Sequence, residues 1–267
     1  MRFLPLRTAR AESPPWRWAA IGALAGLMLA LVLFAPSRWL AALVQEASGE
    51  HVLLLEPRGR FWQGTAQLAL AGGAGSKGAM ALPGQLTWRI RPTWGGLNVQ
   101  LNAECCMQQA IRLRATPIGW GGVRLALDDG QSRWPAGLLA GLGTPWNTVQ
   151  AQGQLVASTQ GFQAAWQDGR LSLSGRVQLD ASQISSRLST LQPMGSYRLT
   201  LQGGAASTLQ LETLEGGLQL TGQGQWVGQR LRFEGLASAR PESVEALSNL
   251  LNIIGRRNGA TALIKVG

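Results

Sequence analysis

Few side chains in this sequence are of the types that perform catalysis, and their spacing gives them no common chemistry. Among 267 residues there are 14 acids and one histidine, His51. Asp128 and Asp129 are the only adjacent acids, and the Gly130 that follows them is typical of a turn. General acid–base catalysis needs titratable groups within hydrogen-bonding reach of a substrate. The sequence therefore predicts a protein that is not an enzyme and has no catalytic residues.

One glycine-rich segment imitates a nucleotide-binding motif. Residues 73–78 have the spacing G-x-G-x-x-G and follow an apparent strand. A dinucleotide site also requires a helix directly after the motif, because the helix N-terminus receives the pyrophosphate. Pro83 and Gly84 follow instead, and Lys77 is not in the Gly-Lys-Ser/Thr context of a P-loop. We therefore expect a hairpin loop here and no cofactor.

The two cysteines, Cys105 and Cys106, are adjacent. Ordinary disulfides join Cα atoms about 4.4–6.8 Å apart, whereas neighbouring Cα atoms lie about 3.8 Å apart, so neighbours pair only if the peptide between them distorts. A vicinal disulfide, an intermolecular bridge and two free thiols are all open in an oxidising compartment, and we expect free thiols. No metal site is expected, because His51 is the only histidine.

A membrane anchor lies near the N-terminus. Residues 18–37 contain no charged side chain, and Arg17 and Arg38 flank them. A helix of about 20 residues spans about 30 Å, the thickness of the hydrocarbon core of a bilayer. Trp16 and Trp39 flank the run, as at membrane interfaces. The apolar core of a cleaved signal peptide has only about 7–15 residues, so we expect a transmembrane helix that is retained.

The charges around this helix predict its orientation. Residues 1–17 contain four arginines, whereas Arg38 is the one basic residue just after the helix. The positive-inside rule then leaves residues 1–17 in the cytoplasm and translocates the rest of the chain. Gly22 and Gly26 have the spacing of helix-packing motifs, which also arises by chance in such spans, and they suggest a homodimer as an alternative to a monomer.

The net charge of +10 and the pI near 11.4 would suit a nucleic-acid partner. The basic residues are spread singly along the predicted strands, and translocation separates the domain from nucleic acid, so we expect no such partner. Solvated strand faces account for the charge. The alternative is attraction to the headgroups of inner-membrane lipids or to an acidic protein.

The remaining sequence predicts a β-rich domain. Residues 38–48 have apolar positions on one helical face and predict a juxtamembrane helix. In 49–267, apolar and polar residues alternate, as around Leu86, Trp88 and Ile90. We expect about a dozen short strands, and parallel pairing is excluded because it needs crossover helices. The central strands are expected at 148–157, 161–167 and 170–180.

The predicted fold class is therefore all-β: one transmembrane helix, an antiparallel and strongly curved sheet or sandwich-like domain, and a short C-terminal helix. The curvature is expected from the glycines within strands. The C-terminal helix follows Pro241, where leucines recur at helical spacing. Residues 131–147 interrupt the alternation and mark a possible seam between two lobes. Eight tryptophans of this domain are expected in the core or, alternatively, along an open apolar trough: Trp62, Trp88, Trp94, Trp120, Trp134, Trp146, Trp166 and Trp226.

Several motifs together resemble protein N of the type II secretion (general secretory) pathway. Each motif is weak alone, and their order along nearly the whole chain carries the resemblance. They are Ala35-Pro36-Ser37-Arg38-Trp39-Leu40, Gly59-Arg60-Phe61-Trp62-Gln63-Gly64-Thr65-Ala66, Leu86-Thr87-Trp88-Arg89-Ile90-Arg91-Pro92, Met194-Gly195-Ser196-Tyr197-Arg198-Leu199, and Gly222-Gln223-Gly224-Gln225-Trp226 leading through Ala239-Arg240-Pro241-Glu242 to the leucine-rich helix and Gly255.

The resemblance implies an accessory inner-membrane component, facing the periplasm, of the machinery that exports folded proteins through an outer-membrane secretin. Other secretion subunits are then the expected partners, and no catalytic residues are carried over because the family has none established. We expect the domain to act by protein–protein contacts, with a neighbouring subunit adding a strand at an exposed edge. The alternative is a tethered β domain that binds or shields lipid, which the glycine-bent strands and the tryptophans suggest.

Overall fold

The computed structural model describes residues 16–76, 78–227 and 230–266. It divides the chain into two compact units, Met1–Ala35 and Pro36–Gly267. Most of the predicted cytoplasmic segment 1–17 lies outside the described residues, and so does Lys77 of the glycine-rich loop.

The first unit contains one helix, α1 (Trp16–Leu33). Its mean hydropathy is 1.8 and none of it is buried inside the protein, so its length and composition suffice to cross a membrane. The helix ends before Pro36 because proline offers no backbone N–H to continue it. The observed helix covers residues 18–33 of the predicted span 18–37, whose bounds in a membrane stay a prediction.

The second unit opens with α2 (Ser37–Ala47), close to the predicted juxtamembrane helix. α2 is amphipathic, and Leu40 on its apolar face packs against the cluster of Ala66, Trp88 and Ile90. The remaining helical elements are two 3₁₀ helices (Ala136–Leu142 and Pro241–Ser243), α3 (Trp146–Val149) and α4 (Val244–Ile254).

Sixteen strands of the described chain form one sheet, and every pairing in it is antiparallel. They are β1 (Val52–Arg60), β2 (Gln63–Ala71), β3 (Ala79–Ala81), β4 (Leu86–Thr93), β5 (Gly96–Ala103), β6 (Ile111–Ile118), β7 (Gly122–Leu127), β8 (Gly130–Pro135), β9 (Gln152–Gln167), β10 (Arg170–Ser185), β11 (Gly195–Gln202), β12 (Thr208–Gly216), β13 (Leu218–Val227), β14 (Arg230–Ala239), β15 (Arg256–Asn258) and β16 (Thr261–Val266).

The strand order follows the chain closely: β1-β2-β4-β5-β6-β7-β9-β10-β11-β12-β13-β14-β16-β15, with β3 beside β2 and β8 beside β9. The sheet is not closed, because β1 and β15 are its outer strands. The predicted all-β, antiparallel class with a short C-terminal helix is confirmed. The strong curvature stays a prediction.

The two ends of the sheet differ, because hairpin neighbours place every second connection at the same end. One end holds the short connections that follow β1, β4, β6, β9, β11 and β13. We call it the tryptophan end, since five tryptophans lie in or beside these turns: Trp62, Trp94, Trp120, Trp166 and Trp226. The opposite end, which we call the helix end, carries the longer connections that contain α3 and α4.

The two faces of the sheet also differ. Leu125 of β7 pairs directly with Ala115 of β6 and Ala164 of β9. Directly paired residues project to the same face, so the apolar positions of successive strands combine into one apolar face. Arg112 and Gln100 pair in the same way and belong to the opposite, polar face.

Besides the cluster beneath α2, two larger clusters cover parts of the apolar face, and the segment 131–147 contributes to both. Leu247, Leu250 and Leu251 of α4 pack in one cluster with Leu218 and other residues of the C-terminal strands. The other cluster is smaller: Leu82, Leu86, Ala103, Cys106, Met107 and Leu138. Ala136 lies in the first cluster and Leu138 in the second, within one 3₁₀ helix. The ladder itself continues from β7 through β9 to β10, and the division into two lobes stays a prediction.

We predict that α4 stabilises the sheet through its buried side. Leu250 is 2% exposed, whereas Ile253 on the same helix is 38% exposed. Leu250→Ala should lower the free energy of unfolding by about 2–5 kcal/mol, because it leaves a cavity, and Ile253→Ala should lower it far less. Urea unfolding of the detergent-solubilised full chain, followed by tryptophan fluorescence, measures both. Equal losses from the two variants would contradict the assignment of α4 to the core.

Candidate functional site

The acids singled out in the sequence have structural contacts. Asp128 Oδ1 lies 3.0 Å from Nη2 of Arg114. Asp129 Oδ1 accepts a hydrogen bond from the backbone N–H of Gly161 at 2.6 Å. These contacts hold the β7–β8 turn against neighbouring strands and bring neither carboxylate to a nucleophile.

His51 contacts the C-terminal end of α2. Its Nδ1–H donates to the carbonyl oxygen of Ser48 at 2.9 Å, and a Cβ on Gly73 would meet its ring. No group of three or more His, Cys, Asp or Glu residues is placed to hold a metal ion within the described ranges. That the protein is not an enzyme stays a prediction.

The glycine-rich segment is a hairpin loop, as expected. It connects β2 to β3, which pair antiparallel, so a strand follows the motif where a dinucleotide site requires a helix. The hydroxyl of Ser76 accepts a hydrogen bond from the backbone N–H of Gly72 at 3.1 Å, which closes the loop.

Cys105 and Cys106 form a vicinal disulfide in the turn between β5 and β6, with their Cα atoms 3.8 Å apart. The expectation of free thiols is therefore wrong. Cys106 is 5% exposed and belongs to the cluster with Met107 and Leu138, so its half of the bridge packs in the core. The adjacent spacing of the two cysteines left this pairing open.

A cavity of about 950 Å³ opens on the apolar face. β9 is shared along its length, since β8 pairs with its first part (154–159) and β7 with its last part (163–166), and the cavity lies where the chain passes from β7 to β8. The apolar lining is contributed by Ile111, Leu127, Trp134, Phe162 and Val177. Polar groups stand beside it: Arg112, Asp128, Asp129 and Thr159.

From this cavity a band of exposed apolar side chains continues to the tryptophan end. Between 37% and 42% of each of these residues is exposed: Leu97, Val123, Leu125, Trp166 and Leu171. The pairing of Val123 with Trp166, and of Trp166 with Leu171, makes the band continuous across three strands. Such a contiguous apolar surface is typical of an interaction site.

The tryptophans divide between core and surface. Trp88 is 4% exposed, and its indole N–H donates to the carbonyl oxygen of Phe61 at 3.0 Å. Trp94 and Trp120 are fully exposed in their turns, at 109% and 102%. The eight tryptophans of this domain therefore lie neither all in the core nor all along one apolar trough.

The polar face carries a cross-strand ion pair at its centre. Arg198 donates from Nε and Nη2 to the two carboxylate oxygens of Asp180, at 2.7 and 3.0 Å. Asp180 and Arg198 pair directly across β10 and β11. The hydrogen bond from Arg198 lowers the pKa of Asp180 below its ordinary value, burial opposes this shift, and the amide of Gln178 adds to the lowering.

The two outer strands differ in how well they are protected against pairing with a further strand. β1 contains Pro57, which has no N–H, and a register irregularity at Glu56, whose φ is 47°. Pro36 also pairs with Arg60, the last residue of β1. These features block the addition of another strand. At the other margin, β15 covers only 261–263 of β16, and within the described chain nothing pairs with the outer side of 264–266.

Gly22 and Gly26 lie on α1, and a Cβ on either would meet no atom within 4 Å. A second helix has room to approach there. The homodimer stays a prediction.

Comparison with known proteins identifies a matching family. A family model described as type II secretion system (T2SS), protein N, matches residues 50–263, which is most of the chain. No curated protein and no solved structure matches the chain. The matched residues include nearly the whole sheet, from the start of β1 into β16.

The Asp180–Arg198 pair makes stability depend on pH. Because the folded-state pKa of Asp180 is lowered, the pair stabilises the fold above the unfolded carboxylate pKa of about 4, and this contribution is lost as the pH falls through the folded-state pKa. Asp180→Asn should therefore lower the free energy of unfolding at pH 7 by about 1 kcal/mol, with a smaller effect in acid.

Urea unfolding of the full chain at a series of pH values tests this. Asp168→Asn is the matched control, because Asp168 is exposed in a turn and has no ion pair among the described residues. A cost of Asp180→Asn that does not change with pH would contradict the assignment.

Proposed function

The chain belongs to the family of type II secretion system protein N. We propose that its second unit (36–267), which contains the sheet and is called the sheet unit below, acts in the periplasm by binding other proteins of the secretion machinery. Family membership makes it an accessory component of type II secretion. The family and the single apolar helix α1 also fit a single-pass protein of the inner membrane. In the proposal, residues 1–17 are cytoplasmic, because four arginines precede the helix and one follows it closely.

The observation that carries this proposal is the open margin of the sheet at β15 and β16. Unpaired N–H and C=O groups of an edge strand bind an extended segment of another chain through backbone hydrogen bonds. The β1 margin is blocked by Pro57 and the irregularity at Glu56, whereas 264–266 have no partner on their outer side among the described residues. A partner strand would therefore add at the C-terminal margin.

The charges at this margin favour one kind of partner segment. Arg256, Arg257 and Lys265 are exposed there, and Glu234 is the acid next to them, 2.9 Å from Lys265 Nζ. Opposite charges on paired strands stabilise the pairing and like charges oppose it. An extended segment with acidic side chains is the partner that suits this margin.

Crosslinking in intact cells tests the proposed contact. A photo-reactive amino acid in place of Arg256 should give an adduct with a component of the secretion machinery, identified by mass spectrometry, because β15 lies at the open margin. The control replaces Gln163, which is exposed on the central strand β9. The absence of a secretion-component adduct from Arg256, or the same adduct from both positions, would contradict the proposal.

A second candidate function is the shielding of lipid acyl chains, which the cavity of about 950 Å³ and the adjoining exposed apolar band favour. Phe162 and Val177 line the cavity, whereas their neighbours in sequence project to the polar face. An acyl chain would bury this apolar surface, and a membrane around α1 would supply it.

Acyl binding is tested with a phospholipid that carries a photo-reactive group on its acyl chain. Phe162→Glu should strongly reduce labelling of the purified full chain, because a carboxylate in the cavity opposes burial of an acyl chain. Gln163→Glu introduces the same charge on the opposite face and should leave labelling unchanged. Equal labelling of the two variants would remove this function.

A further inference from the structure

Two tryptophans of the sheet unit are fully exposed, and both lie at its tryptophan end. Trp94 is followed by Gly95 and Gly96, and Trp120 stands between Gly119 and Gly121. Nothing on the sheet covers either indole. A large amphipathic ring held in water by a tight turn gains no burial from the fold, so these side chains point to a surface that contacts something else.

The same end presents further apolar surface. Trp166 and Leu171 are each 42% exposed on the strands next to the β9–β10 turn. Trp62, between β1 and β2, and Trp226, near the end of β13, are half-buried. Tryptophan is the residue that accumulates at membrane–water interfaces, because its ring is apolar and its N–H is polar.

The charge of this end is positive. Exposed arginines stand on the strands next to the turns: Arg91, Arg124, Arg170 and Arg230. In the part of the chain that the structure describes, none of these four forms an ion pair with an acid. Asp168 is the one acid within the turns themselves. Arginines near an anionic bilayer surface are attracted to its headgroups.

The connection to α1 joins the sheet unit at this end. Pro36, the first residue of the unit, pairs with Arg60, where β1 reaches the tryptophan end. Only Phe34 and Ala35 stand between Leu33, the last residue of α1, and Pro36. A connection of that length reaches about 10 Å at most. If α1 spans a bilayer, Pro36 must therefore lie close to the surface of that bilayer.

We propose that the tryptophan end docks on the headgroup region of the bilayer that holds α1, with Trp94 and Trp120 in the interface and the arginines against anionic lipid phosphates. This surface is an end of the sheet, whereas the margin at β15 and β16 is one of its two sides. The inference requires α1 to span a membrane and does not depend on any secretion partner.

The test uses the full chain in nanodiscs made of zwitterionic and anionic phospholipids. Tryptophan is replaced by 5-fluorotryptophan, and ¹⁹F resonances are assigned with Trp94→Phe, Trp120→Phe and Trp146→Phe. A lipid with a spin label on its headgroup should reduce the signals of Trp94 and Trp120 severalfold more than that of Trp146. Trp146 is the control, because it is 41% exposed but lies on α3 at the helix end.

The electrostatic part of the proposal is tested by Arg91→Gln, Arg124→Gln and Arg170→Gln combined in one variant. This variant, or nanodiscs without anionic lipid, should reduce the effect on Trp94 and Trp120 while the resonance of Trp146 stays in place as a check of folding. Equal effects on all three tryptophans would overturn the docking, as expected if these turns contact a protein instead. An effect that the arginine variant leaves undiminished would overturn the headgroup contact.

Discussion

One antiparallel ladder that runs through the whole second unit is the constraint on which the rest of the structure depends. Because directly paired residues share a face, the alternation within each strand adds to that of its neighbours and gives a single wide apolar face. The chain has few helices to cover it. α4 covers the part near Leu218, and the 3₁₀ helix with Leu138 covers the part near Leu86. α2 covers the part near Trp88, and the cavity and the exposed band remain open.

Much of this fold was accessible from the sequence, because hydrophobic period is a local property. The period of 3.6 predicted α2 and the C-terminal helix, and the period of 2 predicted antiparallel strands from residue 49 onward. The central hairpin was predicted less well. Separate strands were predicted at 148–157 and 161–167, but β9 runs continuously from Gln152 to Gln167. Gly161, which has a positive φ of 54°, and Gly175 lie opposite each other in an irregularity of the β9–β10 ladder. A Cβ on Gly175 would clash with the carbonyl oxygen of Gly161.

The candidate surfaces were harder to predict, because they arise from contacts between distant parts of the sequence. The cavity lies where the chain passes from β7 to β8, which share β9, an arrangement that no local pattern encodes. The Asp180–Arg198 pair depends on the register of β10 against β11. The grouping of the tryptophans became visible only once the alternation of the turns between two ends was known. The family resemblance, in contrast, rests on the order of short motifs and was confirmed over residues 50–263.

The bridge between Cys105 and Cys106 has a consequence for how the chain matures. Glutathione and thioredoxin keep thiols reduced in the cytosol, whereas the bacterial periplasm oxidises them. In the proposed topology, a freshly synthesised chain would carry two thiols until its second unit had crossed the membrane. An intact bridge in the β5–β6 turn would then distinguish the copies of the chain whose second unit has been translocated.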